Sequence, residues 1–117
     1  MVAENNMKPK LIILNGPLGI GKSTLANRYA EDNPLTLRLD IDDIRTYISH
    51  WRERDEESAN SSKKIALAMA KVQLGLGHDV VVPQIVRSVK LFEAFEQVAN
   101  KTNANYYEIM LFTDKAE

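Results

Sequence analysis

Leu11-Ile12-Ile13-Leu14-Asn15-Gly16-Pro17-Leu18-Gly19-Ile20-Gly21-Lys22-Ser23-Thr24 runs from four consecutive apolar residues through a glycine-rich turn into a helical pattern. Gly16, Gly21, Lys22 and Ser23 fill the fixed positions of Gly-x-x-x-x-Gly-Lys-Ser/Thr, and the flanks supply the strand, turn and helix that this pattern requires. Glycines let successive backbone N–H groups turn inward as an anion nest, to which the helix starting near Gly21 adds its positive dipole end. Lys22 then offers a point charge to the β- and γ-phosphates of a bound polyphosphate, and the Ser23 hydroxyl one position on a magnesium ion that keeps most of its waters. The whole loop, Gly16, Pro17, Leu18, Gly19, Ile20, Gly21, Lys22, Ser23 and, more weakly, Thr24, is expected to touch the phosphates.

The apolar run 11–14 has no polar alternation, so it belongs in the middle of a sheet covered on both faces. Leu25, Ala26, Tyr29 and Ala30 continue a first helix until Asp32-Asn33-Pro34 ends it. Residues 35–39 alternate as a second strand and deliver Asp40-Ile41-Asp42-Asp43-Ile44-Arg45 at its carboxyl end, where open α/β sheets bind their ligands. A second helix starts at Ile41, with Ile41, Ile44 and Ile48 on one face, and fades around residues 50–54. Residues 55–62 read as a connecting loop or an exposed first turn. Ile65, Ala68, Met69, Val72 and Leu76 then mark the inner face of a third helix closed by Gly75 and Gly77.

Residues 79–83 form a third strand, internal like the first, with Pro83 at or just past its end. Ser88 caps a fourth helix carrying Val89, Phe92, Phe95, Val98 and Ala99, and residues 106–112 form a fourth strand. The alternation β-α-β-α-α-β-α-β predicts an α/β fold with right-handed crossovers. Its parallel sheet should be ordered 2-3-1-4, with helices on both faces.

At 117 residues and 44% hydrophobic content the sequence accounts for one core, residues 10–117, after a flexible lead-in at 1–9. A net charge of −1 argues against nucleic acid or an anionic membrane as a global electrostatic partner. The lack of cysteine removes disulfides, thiolate metal sites and cysteine nucleophiles. No stretch looks like a secretory signal or a membrane span, so the cytoplasm is the expected compartment.

The loop at 16–23 together with Asp40-x-Asp42-Asp43-x-Arg45 resembles the P-loop kinases of the nucleoside-monophosphate-kinase fold, near the shikimate-kinase, polynucleotide-kinase and zeta-toxin-like branch. The resemblance covers residues 10–114 in order of elements. It implies a three-layer P-loop NTPase sandwich that binds ATP and Mg2+ and moves the γ-phosphate to a hydroxyl of a small molecule or a nucleic-acid end. Carried over by position, Asp40 is the magnesium-side carboxylate beside Ser23, Asp42 the base and Arg45 the acceptor anchor, with Lys22 neutralising the transferred charge. In this branch the third strand often ends in a second magnesium-associated aspartate; here the place reads Pro83-Gln84, which leaves the role to Asp40. Members of the branch also continue into an arginine-bearing lid, a fifth strand and a last helix, so a domain shortened at its C-terminal side is the expectation.

The chemistry is coherent on its own terms, because phosphoryl transfer needs charge neutralisation and a carboxylate that orients and deprotonates the hydroxyl. Helix capping is the competing role for Asp42 and more so for Asp43. Arg87 is a second candidate for a substrate anion on the same rim. Trp51 suits either a stacked base or the domain edge, while His50, His78, Arg52, Arg54, Lys63 and Lys64 read as surface residues. A GTPase switch is disfavoured: the chain contains no Asp-x-x-Gly, and Asn100-Lys101-Thr102-Asn103 precedes a strand instead of following one. The alternatives to a kinase are an ATP hydrolase and a nucleotide-binding domain without catalysis.

Overall fold

The structure is a computed structural model that describes residues 8–17, 19–83 and 88–112. Its elements are β1 (Lys10–Asn15), α1 (Lys22–Asp32), β2 (Leu37–Arg38), α2 (Ile41–Thr46), α3 (Asp55–Gly75), β3 (Val80–Pro83), α4 (Val89–Lys101) and β4 (Asn105–Met110). The four strands form one sheet in the order β2-β3-β1-β4, all parallel, as the strand patterns predict. Leu11 pairs with Val80 on one side and Tyr106 on the other, and Leu14 with Pro83 and Ile109. Leu11, Ile13, Val80, Val81 and Val82 are fully buried, so the two continuous apolar runs do occupy the centre.

Because side chains alternate across a strand, the sheet builds two cores. Leu11, Ile13, Val80 and Val82 pack with Leu74 of α3 and Phe95 and Ala99 of α4, while Ile12, Leu14 and Val81 meet Ala26 and Tyr29 of α1. Helices therefore lie on both faces. Burying Phe95 and the central aliphatics contributes about 1.5–3 kcal/mol per side chain before the entropy of ordering is subtracted.

Three local expectations change. Strand β2 shrinks to two residues, because Pro34 and Leu35 enter a turn in which the Thr36 N–H and hydroxyl both donate to the Asn33 carbonyl. Leu35 sits there at φ +75°, two-thirds exposed. Helix α2 stops at Thr46, and the N–H groups of Tyr47 and Ile48 bond three residues back in a tightened last turn.

The third change is the largest. Helix α3 starts at Asp55, so residues 55–62 are helical, and its buried face is Ser58, Ser62, Ala66, Ala70 and Leu74. The bulkier Ile65, Val72 and Leu76 face outward, 42%, 63% and 65% exposed. The first four of this row are small where α3 packs close to α2, whereas Leu74, with Leu67 and Met69 beside it, packs into the core. The buried hydroxyls are satisfied locally: Ser58 Oγ donates to the Trp51 carbonyl at 2.9 Å and Ser62 Oγ to Ala59 at 2.9 Å.

The helix ends as its glycines suggest. Gly77, at φ +90°, donates its N–H to Leu74 and His78 donates to Gln73, the paired bonds of a Schellman stop. Ser88 Oγ caps α4 by accepting from Leu91 N–H. Gln84, Arg87, residues 1–7 of the lead-in and residues 113–117 lie outside the described residues.

Candidate active site

The parallel sheet brings the loop after β1 and the acidic turn after β2 to its single carboxyl end. Asn15 fixes the start of the loop: its side-chain oxygen accepts from Gly16 N–H at 2.9 Å, and its carbonyl accepts from Leu111 N–H at 2.8 Å. Gly16 is required twice over. Its φ is +148°, and a Cβ there would lie 2.8 Å from the Leu111 carbonyl oxygen.

Gly21 stands in the left-handed region at φ +93° as the N-cap of α1, and no side chain caps that helix. Its first N–H groups thus have no side-chain cap, and Ser23 and Thr24 are exposed in the same turn. Lys22 is 9% exposed and bends back over the loop, donating from Nζ to the carbonyls of Gly16 and Pro17 at 2.8 Å each. Holding the ammonium by two carbonyls places a buried cation at the loop, with no carboxylate paired to it among the described residues. Gly19, exposed at φ +78°, and Ile20 complete the described part of the loop; Leu18 lies outside it.

On the other side of the end, Asp40 is the residue that caps α2. Its Oδ1 accepts from the N–H groups of Asp42 at 3.0 Å and Asp43 at 3.3 Å, and its Oδ2 stands 4.0 Å from Arg38 Nη1. Burial pushes the Asp40 carboxyl above the ordinary aspartate value, and the charges of Asp43 and Asp42 push the same way, against the two cap bonds that favour the anion. Asp42 and Asp43 are exposed in the first turn of α2. The capping role considered for them thus belongs to their neighbour, which leaves the Asp42 carboxylate exposed.

Arg45 lies one turn beyond Asp42 and is locked to α3. Its Nε donates to Ser58 Oγ at 3.0 Å, and its Nη2 donates to the Asp55 carbonyl at 2.9 Å and to the Asp55 carboxylate. Trp51 lies against this guanidinium at 5.3 Å and against that of Arg52 at 4.9 Å, so its ring serves as a platform for cations. Asp55 and Ser58 escape sequence reasoning because their importance depends on the α2–α3 contact. The only early sign is the Ser58, Ser62, Ala66, Ala70 spacing.

The remaining candidates sit apart. His50 pairs with Glu53 and Arg54 with Glu57 on exposed ground, and Lys63 and Lys64 are solvated. Among the described residues no cluster of three or more His, Cys, Asp or Glu forms a metal cage, and no helix is long and apolar enough to cross a membrane.

A strand, a glycine loop closed by a buried lysine and an acidic turn at the same end of a 2-3-1-4 parallel sheet define a P-loop kinase-like domain. Residues 11–117 match the family model described as AAA domain, and the chain belongs to that family. Solved structures agree on the fold. The chain resembles the Mycobacterium tuberculosis APS kinase CysC Cys556Ala mutant with TM-score 0.67 and 20% identity, covering 94% of this chain and 80% of that one. It resembles a chain of the Pnkp1/Rnl/Hen1 complex with TM-score 0.72 and 21% identity, over 90% of this chain and 36% of the other. The M. tuberculosis APS kinase CysC in complex with AMPPNP and APS aligns with TM-score 0.63 and 20% identity, over 88% of this chain and 62% of that one. No match is found among curated proteins.

Proposed function

We propose that this domain binds ATP with magnesium on residues 16–24 and transfers the γ-phosphate to a hydroxyl of a small molecule or a nucleic-acid end. The observation that carries the reading is the pairing, at one sheet end, of the Lys22-closed loop with an Asp42 carboxylate freed from capping by Asp40. In it, Lys22 exchanges its two carbonyl partners for the β- and γ-phosphates, and the uncapped N–H groups of α1 bind phosphate oxygens.

Magnesium fits the donor set present. It commonly takes one or two protein oxygens together with phosphates and waters, and the exposed Ser23 hydroxyl and the Asp40 carboxylate are such a pair. The ion would supply charge neutralisation at the transferred group. Asp42 orients the acceptor hydroxyl and takes its proton, and Arg45 holds an acceptor anion nearby. The APS kinase complex with AMPPNP lends support by analogy of fold alone.

Asp42→Asn tests it: nucleotide affinity should stay within about twofold while transfer falls by roughly 10²-fold, the usual worth of general-base help. If turnover per folded molecule is unchanged and only the melting temperature falls, Asp42 is structural and the proposed role fails. A second reading is nucleotide binding without transfer. Tight ATP binding without transfer to any of a panel of hydroxyl acceptors would select it.

A further inference from the structure

The corner where α2 meets the start of α3 treats its arginine in two ways. Two of the contacts of Arg45 go to groups that α3 holds still: Ser58 Oγ, whose residue is 1% exposed, and the backbone carbonyl of Asp55. Ser58 is fixed in turn by the Trp51 carbonyl, and the Trp51 ring lies against the guanidinium at 5.3 Å. The third contact, to the Asp55 carboxylate, differs in kind. That side chain is 81% exposed, whereas Arg45's own is 21% exposed.

Exposed ion pairs contribute little, because water and salt screen them and both side chains lose freedom. The carboxylate can therefore leave at small cost, and the remaining contacts keep the guanidinium where it is. A departing Asp55 carboxylate vacates an Nη2 N–H at the same sheet end as Asp42 and the phosphate loop.

We propose that Asp55 is an internal counter-ion occupying the place of an acceptor oxyanion. The acceptor carries a phosphate, sulfate or carboxylate group and binds by displacing the Asp55 carboxylate from Arg45. This rests on the reading of Arg45 as the acceptor anchor. It makes Asp55 a specificity-determining residue: a neutral acceptor cannot displace it, and a phosphate dianion, with more charge and more acceptor oxygens, does so better than a monoanionic carboxylate.

Trp51 is the only tryptophan of the chain and touches Arg45, so its fluorescence reports the exchange directly. Inorganic phosphate, sulfate and acetate are titrated into the wild type, Asp55→Asn, Asp55→Glu, Arg45→Lys and Lys22→Ala, each first checked for an unchanged far-UV spectrum and melting temperature. Removing the competing charge in Asp55→Asn should tighten phosphate binding roughly two- to fivefold, the worth of an exposed pair. Asp55→Glu, which restores a carboxylate, should return to wild-type affinity. Phosphate should outrank acetate, and the response should be lost in Arg45→Lys and kept in Lys22→Ala.

Phosphate binding that is unchanged or weaker in Asp55→Asn would mean that Asp55 only positions Arg45, and the proposal falls. It falls equally if no protein responds, or if the signal vanishes with Lys22→Ala and survives Arg45→Lys, since the anion is then in the loop. Failure of ATP binding with the titration as expected would instead overturn the kinase reading and leave the anion site standing.

Discussion

The two halves of the site are built on opposite plans. The phosphate loop is local and made of backbone: Gly16, Gly21 and Lys22 span seven residues, and Lys22 bonds carbonyls five and six residues away. The Arg45 corner, proposed to hold the acceptor, is made of side chains gathered across the α2–α3 junction, with Arg45 reaching Asp55 and Ser58 ten and thirteen residues on. A backbone site depends on a few residue types in a strict order. A side-chain site depends on how two helices pack, and it can be retuned by single substitutions that leave the fold alone.

The comparison breaks first at Lys22. Lys22→Ala should cost on the order of 2–4 kcal/mol of ATP affinity, because a charged contact in a partly dry site is lost. Calorimetry showing equal binding by the two proteins would end the reading of the loop as a phosphate cradle. Smaller, but still large for stability, is the effect of crowding the helix junction. Ser62→Leu places a bulky side chain where residue 62 is 1% exposed, and overpacking of this kind costs about 1–3 kcal/mol. Chemical denaturation should show that loss, while Ile65→Ala, on the outward face of the same helix, should stay within about 0.5 kcal/mol. Equal losses would mean that the buried row of α3 is not the one described.

The finest cut separates the two duties of Asp40. Asp40→Ala removes the cap of α2 and should cost about 1 kcal/mol in thermal or chemical melts, whereas Asp40→Asn keeps an acceptor for the Asp42 and Asp43 N–H groups. The charge itself is a burden without magnesium. Since burial and then its acidic neighbours raise the carboxyl's pKa in the folded state, the folded chain binds this proton more tightly than the unfolded one. The stability this contributes is full below the unfolded aspartate value and is lost as pH rises through the folded one. Asp40→Asn should therefore match or exceed the wild type in metal-free melts at neutral pH and yet weaken the magnesium-dependent part of ATP binding. A destabilised Asp40→Asn with unaltered magnesium dependence would leave the residue as a cap alone.

The sequence made the sheet legible because strands 11–14 and 80–83 are apolar without interruption, which only a central, doubly covered position explains. The loop was legible because its glycines obey steric rules that hold in any protein. Helix α3 misled for a physical reason: hydrophobic periodicity seeks the largest side chains, whereas a close helix contact selects the smallest. Ser58 and Ala66 are therefore inside while Ile65 and Val72 are out. The same contact hides the Arg45 corner, since nothing in the string of letters ties Asp55 to Arg45. The sequence alone suits Trp51 to a stacked base or the domain edge, and its engagement by two guanidiniums follows from a turn whose path only the folded chain displays.

Gly16 packs directly against Leu111, which follows strand β4, so the loop and the end of that strand share one contact. The Asn15 carbonyl holds the Leu111 N–H, and the Leu111 oxygen fills the space that any Gly16 side chain would need. If strand β4 and the loop open as one cooperative unit, amide exchange at Gly16 and Leu111 should share a single protection factor. Filling the loop with a polyphosphate should slow exchange along Asn105–Met110 as well, so that the neighbouring strand registers whether the loop is occupied.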